Sequence, residues 1–97
     1  MRIDKNIFEF EWDQGNSGKN NKHKVDDKEA EEAFLDDGKV AFLDTIHSKN
    51  EERLRLIGKT KKNRLLFIVY TKRKDKIRVI SARDVNRKEV PLYEKTT

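Results

Sequence analysis

The sequence predicts an α+β domain in which N-terminal helices and a C-terminal helix pack on an antiparallel β-sheet. Three observations predict it. Phe8, Phe10 and Trp12 alternate with Glu9 and Glu11, the period of a half-buried strand. Residues 53–82 hold three apolar segments joined by short polar turns, the spacing of an antiparallel meander. Ala30, Ala33 and Phe34 recur at helical spacing behind Asp26 and Asp27, either of which can cap a helix.

In chain order, Ile7–Trp12 reads as a short strand. Asp13 can cap a helix toward His23, which Gly15, Gly18 and the asparagines at 16, 20 and 21 weaken. A firmer helix covers Lys28–Leu35 and ends at Asp36-Asp37-Gly38. Lys39–Asp44 is a strand and Thr45–Asn50 a loop. In Arg53-Leu54-Arg55-Leu56-Ile57 the leucines face the core and Arg53 and Arg55 share the other face. Gly58–Asn63 is a turn. Leu65–Tyr70 is apolar on both faces, as a central strand should be. Residues 72–76 form a hairpin turn before a strand over Ile77–Ala82. Asn86 and Glu89 have capping-box spacing for a last helix, which Pro91 should shorten, kink or delay.

Composition bounds the function. Of 97 residues, 34% are apolar and 42% charged, which suffices for one small core and excludes a multidomain enzyme; the expectation is one domain over 1–97. Cysteine is absent, so thiolate nucleophiles, disulfides and cysteine-based zinc sites are excluded. With two histidines and no diagnostic carboxylate spacing, neither a metal nor another cofactor is expected. The longest apolar run, Leu65–Tyr70, is far below the ~20 residues that span a bilayer, and Met1-Arg2-Ile3-Asp4 has no apolar signal region. A soluble, cytoplasmic protein without a membrane partner is expected.

The formal charge of +5 divides unevenly: residues 1–48 carry −5 and residues 49–97 carry +10. The basic half is where a polyanion would bind. Arg53, Arg55, Arg64, Arg73, Arg78, Arg83 and Arg87 lie on three strands and their ends, so several can converge on one groove, although Glu9, Glu51, Glu52 and Asp84 are alternative surface partners. Arginine's planar fork suits phosphate oxygens and the charge that develops in phosphoryl chemistry. His23, between Lys22 and Lys24, is the candidate acid–base group, because a neutral imidazole accepts a proton; a surface or capping role is the alternative. His47 is a weaker candidate. Tyr70 and Tyr93 could stack on bases, with core packing the other role for Tyr70. No glycine-rich phosphate loop, nucleophile elbow or zincin helix occurs.

Several segments together resemble a known family. They are Phe10-Glu11-Trp12-Asp13, Lys22-His23, Glu29-Ala30 with Glu32-Ala33-Phe34, Glu51-Glu52-Arg53, Leu56-Ile57-Gly58, Val69-Tyr70-Thr71 with Arg73, and Ile77–Arg83, followed by Glu89 and Tyr93. In this order they resemble the BrnT-like toxins of type II toxin-antitoxin systems over nearly the whole chain. The resemblance implies a RelE-like fold, an endoribonuclease that halts growth by cutting RNA, and neutralisation by a BrnA-like antitoxin. That antitoxin also binds operator DNA, in a dimeric toxin-antitoxin assembly. On this reading Arg53, Arg78 and Arg83 bind phosphate and stabilise the transition state, His23 serves acid–base chemistry and Lys22 positions the substrate. Trp12, Arg64, Arg73 and Tyr93 are the further RNA contacts. The alternative function is a basic RNA- or protein-binding module without chemistry. Lys24 stands where the family usually carries glycine, and Lys19 where an asparagine usually precedes the histidine by four residues. A single deletion near Asn21 would account for that shift.

Overall fold

The computed structural model describes residues 8–45 and 51–95. Five strands form one sheet: β1 (Glu9–Phe10), β2 (Val40–Leu43), β3 (Leu54–Lys59), β4 (Leu65–Arg73) and β5 (Lys76–Asp84), in the order β1-β5-β4-β3-β2. Two helices, α1 (Asp27–Phe34) and α2 (Val90–Glu94), and a 3₁₀ helix (Lys19–His23) complete the described elements. Ile7, His47 and the loop expected after Thr45 lie outside the described residues.

The meander β2-β3-β4-β5 is antiparallel throughout, and β4 lies at its centre with Leu66, Phe67 and Ile68 buried in succession. The expected all-antiparallel sheet is nevertheless mixed, because β1 runs parallel to β5, pairing Glu9 with Lys76 and Phe10 with Ile77. No hairpin joins β1 to β5, so turn geometry does not dictate their relative direction. Phe8, Phe10 and Trp12 pack inward as their alternation predicts.

One face of the sheet is covered by α1. Asp26 caps it in a capping box: the Glu29 amide donates to Asp26 Oδ1 at 2.7 Å and the Asp26 amide donates to Glu29 Oε1 at 3.4 Å. Ala30, Ala33 and Phe34 are buried, and Phe34 meets the rings of Phe8, Phe10 and Tyr70 edge-on at 5.9, 5.2 and 5.0 Å. Gly58, expected in a turn, is inside β3. A Cβ there would lie 2.3 Å from the Ala33 carbonyl oxygen, so glycine is what lets α1 approach the sheet.

The helix expected over Asp13–His23 is replaced by turns and the short 3₁₀ helix. Its asparagines are used to satisfy a strand edge. Beyond Ile77, β5 has no strand partner on its outer side among the described residues, and two buried side chains take that place. Asn16 Nδ2 donates to the carbonyls of Val79 (3.1 Å) and Glu11 (2.9 Å), its Oδ1 accepts from the Asp13 amide (2.9 Å), and Asn20 Oδ1 accepts from the Ala82 amide (2.9 Å). Buried backbone groups left unpaired would be costly, so this docking fixes the segment on the sheet.

On the second face α2 covers one end. Tyr93 packs with Ile57 and Phe67, and its hydroxyl donates to Asp36 Oδ2 at 2.7 Å. The Asn86/Glu89 capping box forms reciprocally at 2.9 and 3.0 Å. The helix starts only at Val90 and lasts five residues, with Pro91 in its first turn, where a missing N–H breaks no helical bond.

Two outcomes follow. Asn16→Ala leaves the Val79 and Glu11 carbonyls without that donor and should cost about 1–3 kcal/mol in chemical denaturation; an unchanged midpoint would remove the edge-docking argument. Lys24, at the end of the 3₁₀ helix, has φ 59°, so Lys24→Gly relieves a left-handed conformation that costs a side-chain-bearing residue ~1 kcal/mol. A raised unfolding midpoint is expected.

Candidate functional site

The second face, away from α1, gathers the arginines. Paired residues point to the same side, so the register places Ile57, Phe67 and Arg83 in one row, Arg55, Val69 and Ser81 in the next, and Thr71 with Arg78 in a third. Arg78 and Arg83 are five positions apart, a spacing that would put them on opposite faces of a regular strand. A bulge resolves this. Val79 pairs with Tyr70 and Ser81 with Val69, leaving Ile80 as the extra residue. Val79 and Ala82 are thereby both buried in the core on the α1 side of the sheet, while Arg78 and Arg83 are both on the opposite face.

A groove of about 310 Å³ opens on this face, lined by Asp44, Arg53, Arg55, Phe67, Val69, Ile80, Ser81, Arg83 and Glu89. Phe67 carries two guanidinium groups, with Arg83 Cζ 4.4 Å and Arg55 Cζ 5.8 Å from its ring centroid. Arg83 holds Glu89 in a two-pronged pair at 2.9 and 2.8 Å, and Glu89 also accepts from the Asn86 amide. Glu89, the residue that precedes α2, thus sets the direction of Arg83. Arg55 pairs with buried Asp44 at 3.2 Å, and its Nε is buried without a hydrogen-bond partner. An unsatisfied donor of this kind costs stability, and the fold carries it in the groove wall.

The other predicted residues divide. Arg78 is on the same face but only 14% of its side chain is exposed, because Asp13 holds it at 2.8 and 3.0 Å and Glu11 at 3.2 Å. Arg83, at 38%, is the more accessible fork. Arg73, farther along β4, pairs with Glu51 at 3.2 Å. Lys22 and His23 are exposed at the end of the 3₁₀ helix and do not line the groove.

Three residues expected to contact RNA are engaged in the fold. Arg64 is spent as a clamp: Nε donates to Asp84 at 2.6 Å, Nη1 to the Lys24 carbonyl at 2.6 Å and to Glu29, and Nη2 to the His23 carbonyl at 3.2 Å and to Asp84. Every side of its guanidinium is occupied. Trp12 packs on the α1 side and its indole donates to Glu31 at 2.7 Å. Tyr93, on the inward side of α2, is 8% exposed. Burial, with the hydrogen bond to Asp36 and the charge there, pushes its phenol up to about 12. Among the groove residues outside the sequence assignment, which include Phe67 and Asp44, Arg55 and Glu89 carry a sequence signal, the Arg53/Arg55 alternation and the capping-box spacing.

Electrostatics explain why the arginines stay put. The hydrogen bond from Arg78, then that from the Gly15 amide, holds Asp13 below its usual 3.8. The hydrogen bond from Arg64 lowers Asp84, and that from Arg83 lowers Glu89 from its usual 4.5. Among the described residues no group of three histidine, cysteine, aspartate or glutamate side chains is arranged to hold a metal ion. No described helix is long and apolar enough to cross a membrane.

These shifts set the acid response. A carboxylate whose folded pKa is lowered stabilises the fold above its unfolded value, and that stability is lost as pH falls through the folded one. Unfolding free energy should therefore be flat near neutrality and decline below pH ~4.5, with Glu89→Gln flattening part of the decline. A profile that rises on acidification would contradict the pairing.

No curated protein matches the chain in sequence comparison. A family model described as the ribonuclease toxin BrnT of type II toxin-antitoxin systems matches residues 12–89, a span that holds the clamp, the meander, the groove arginines and Glu89. The chain belongs to the BrnT family of ribonuclease toxins.

Proposed function

We propose that this chain, RelE-like in fold, is a metal-independent endoribonuclease toxin whose substrate lies on the arginine face. The observation that carries the reading is the convergence of Arg53, Arg55 and Arg83 on one groove, with Arg78 on the same face. The nucleophile is the RNA's own 2′-hydroxyl, attacking the adjacent phosphorus in line while the 5′-oxygen departs, so the protein supplies position, proton transfer and positive charge. Arg83, stacked on Phe67 and aligned by Glu89 through one edge of its guanidinium, offers its remaining N–H groups to the non-bridging oxygens, and Arg53 extends the contact. Arg78 adds positive charge to the same face.

His23 is the proton-transfer group and Lys22 a positioning cation, both brought to the groove's side by the bound RNA. What supports them is the Arg64 clamp. It ties the His23 and Lys24 carbonyls to Asp84, the residue after Arg83. Positioned acid–base groups contribute typically ~10² to 10⁴ in rate, so a groove of arginines retains some catalysis when that placement is imperfect.

The toxin acts in the cytoplasm, paired with a DNA-binding antitoxin of the BrnA type. The antitoxin brings the assembly, a dimer of toxin-antitoxin units, to operator DNA. Reading of a symmetric operator favours such twofold assemblies.

The test is incubation of the partner-free chain with end-labelled RNA in excess EDTA, beside a folded Arg83→Ala variant. Cleavage by the wild type and a reduction of at least tenfold in the variant are expected. Cleavage that requires added metal, or an Arg83→Ala protein of full activity, would overturn the assignment. RNA bound but uncut would favour the non-catalytic binding module.

A further inference from the structure

The basic face continues past the groove. Along β4 and β5 toward their connecting turn, the same-face pairs run Phe67/Arg83, Val69/Ser81, Thr71/Arg78 and Arg73/Lys76. That distance, six residues of β4, is roughly 20 Å at about 3.4 Å per residue. At its far end Arg73, Lys74 and Lys76, with Glu11, line a second cavity of about 520 Å³. The tip is a built turn: Lys74 and Asp75 have φ 48° and 71°, the paired positive values of a two-residue hairpin turn. Lys72, Arg73, Lys74 and Lys76 are all exposed there, and Asp75 is the single acidic residue of the turn.

The two ends of this track differ in chemistry. In the groove, arginine forks are aligned by carboxylates and stacked on a ring, which suits a phosphate held in one geometry. At the hairpin, lysine ammonium groups are point charges on flexible stems, which suit a backbone held without regard to base or exact register. A positive strip that follows a backbone is how proteins hold single strands, at site sizes of about 4 nucleotides or more. In-line attack also needs a 2′-oxygen able to swing opposite the leaving oxygen, which a flexible single strand permits.

We propose that the β4–β5 hairpin, through Lys74 and Lys76, is a second, non-catalytic subsite for the RNA backbone. The substrate is then single-stranded RNA long enough to run from the Arg83 groove to the hairpin. This rests on the groove being the RNA site, and the experiment separates the two claims.

Binding of the partner-free full chain to a twelve-nucleotide 2′-O-methyl oligoribonucleotide, which cannot be cut, is followed by fluorescence anisotropy over a range of salt. Lys74→Asn/Lys76→Gln is compared with Lys61→Gln/Lys62→Gln, an exposed pair in the β3–β4 turn that changes net charge equally. Asparagine is chosen at 74 because it tolerates positive φ. With circular dichroism unchanged, the hairpin pair should weaken binding several-fold and lower the salt slope by about 1.4, roughly 0.7 for each phosphate no longer neutralised. The control pair should leave both near the wild type. Equal effects of the two pairs, or no effect of either, would overturn the subsite. So would weakened antitoxin association with RNA binding intact, which would make the hairpin a protein interface. RNA binding that responds to Arg83→Ala but not to the hairpin pair would remove the subsite alone, whereas hairpin-sensitive binding without cleavage of ordinary RNA would remove the catalytic reading alone.

Discussion

Strand β5 has to serve two surfaces at once, and the extra residue at Ile80 is what permits it. Toward α1 it must bury Ile77, Val79 and Ala82; away from α1 it must present Arg78 and Arg83. Neither 79 and 82 nor 78 and 83 can share a face in a regular strand, because side chains alternate with a period of two. One bulged residue corrects both parities together. Without it, either Ala82 would leave the core or Arg83 would be driven into it, and a charged fork inside a small core is far more costly than a local kink. The core, the groove and the docking of the N-terminal segment all rest on this register, since Asn16 and Asn20 meet β5 at Val79 and Ala82, on either side of the bulge.

Carboxylates then decide what the assembled arginines are free to do. Arg55 and Arg83 each hold one acidic partner, and Arg64, Arg73 and Arg78 each hold two. The face is pre-organised rather than bare: these forks have an orientation before RNA arrives, which lowers the ordering cost of binding a phosphate. The same pairing makes the forks unequal. Arg78, nearly covered, contributes field; Arg83, more open and stacked on Phe67, can reach a ligand. An exposed ion pair contributes little to stability in any case, so the value of these pairs lies in direction.

The fold is largely legible in the sequence where local pattern and tertiary demand agree. The Phe8/Phe10/Trp12 alternation, the aspartate cap before α1 (Asp26 of the two candidates), the two-faced apolar run of β4 and the late, short α2 are local properties, and each is found. Gly58 reads as a turn residue because glycine marks turns and close approaches alike, and only the position of Ala33 distinguishes them. The helix expected after Asp13 does not form, for the reverse reason. Asparagine side chains compete with the helix for backbone groups, and here Asn16 and Asn20 use that capacity on the edge of β5, which no local pattern reveals. The direction of β1 is equally hidden.

The site is legible as a set of arginines and not as a geometry. The Arg53/Arg55 alternation puts both on the face that carries the groove, and Arg83 lines the same groove. Arg64 and Arg83 look alike in sequence; one is surrounded by His23, Lys24, Glu29 and Asp84 and the other opens to solvent, a difference that only packing creates. The most direct test is therefore to follow the arginine Nε–Hε resonances of the partner-free chain by NMR during titration with a non-cleavable single-stranded RNA. Shifts concentrated at Arg53, Arg55 and Arg83, with Arg64 still, are the predicted result. Shifts at Arg64 with the groove arginines unmoved would contradict the account.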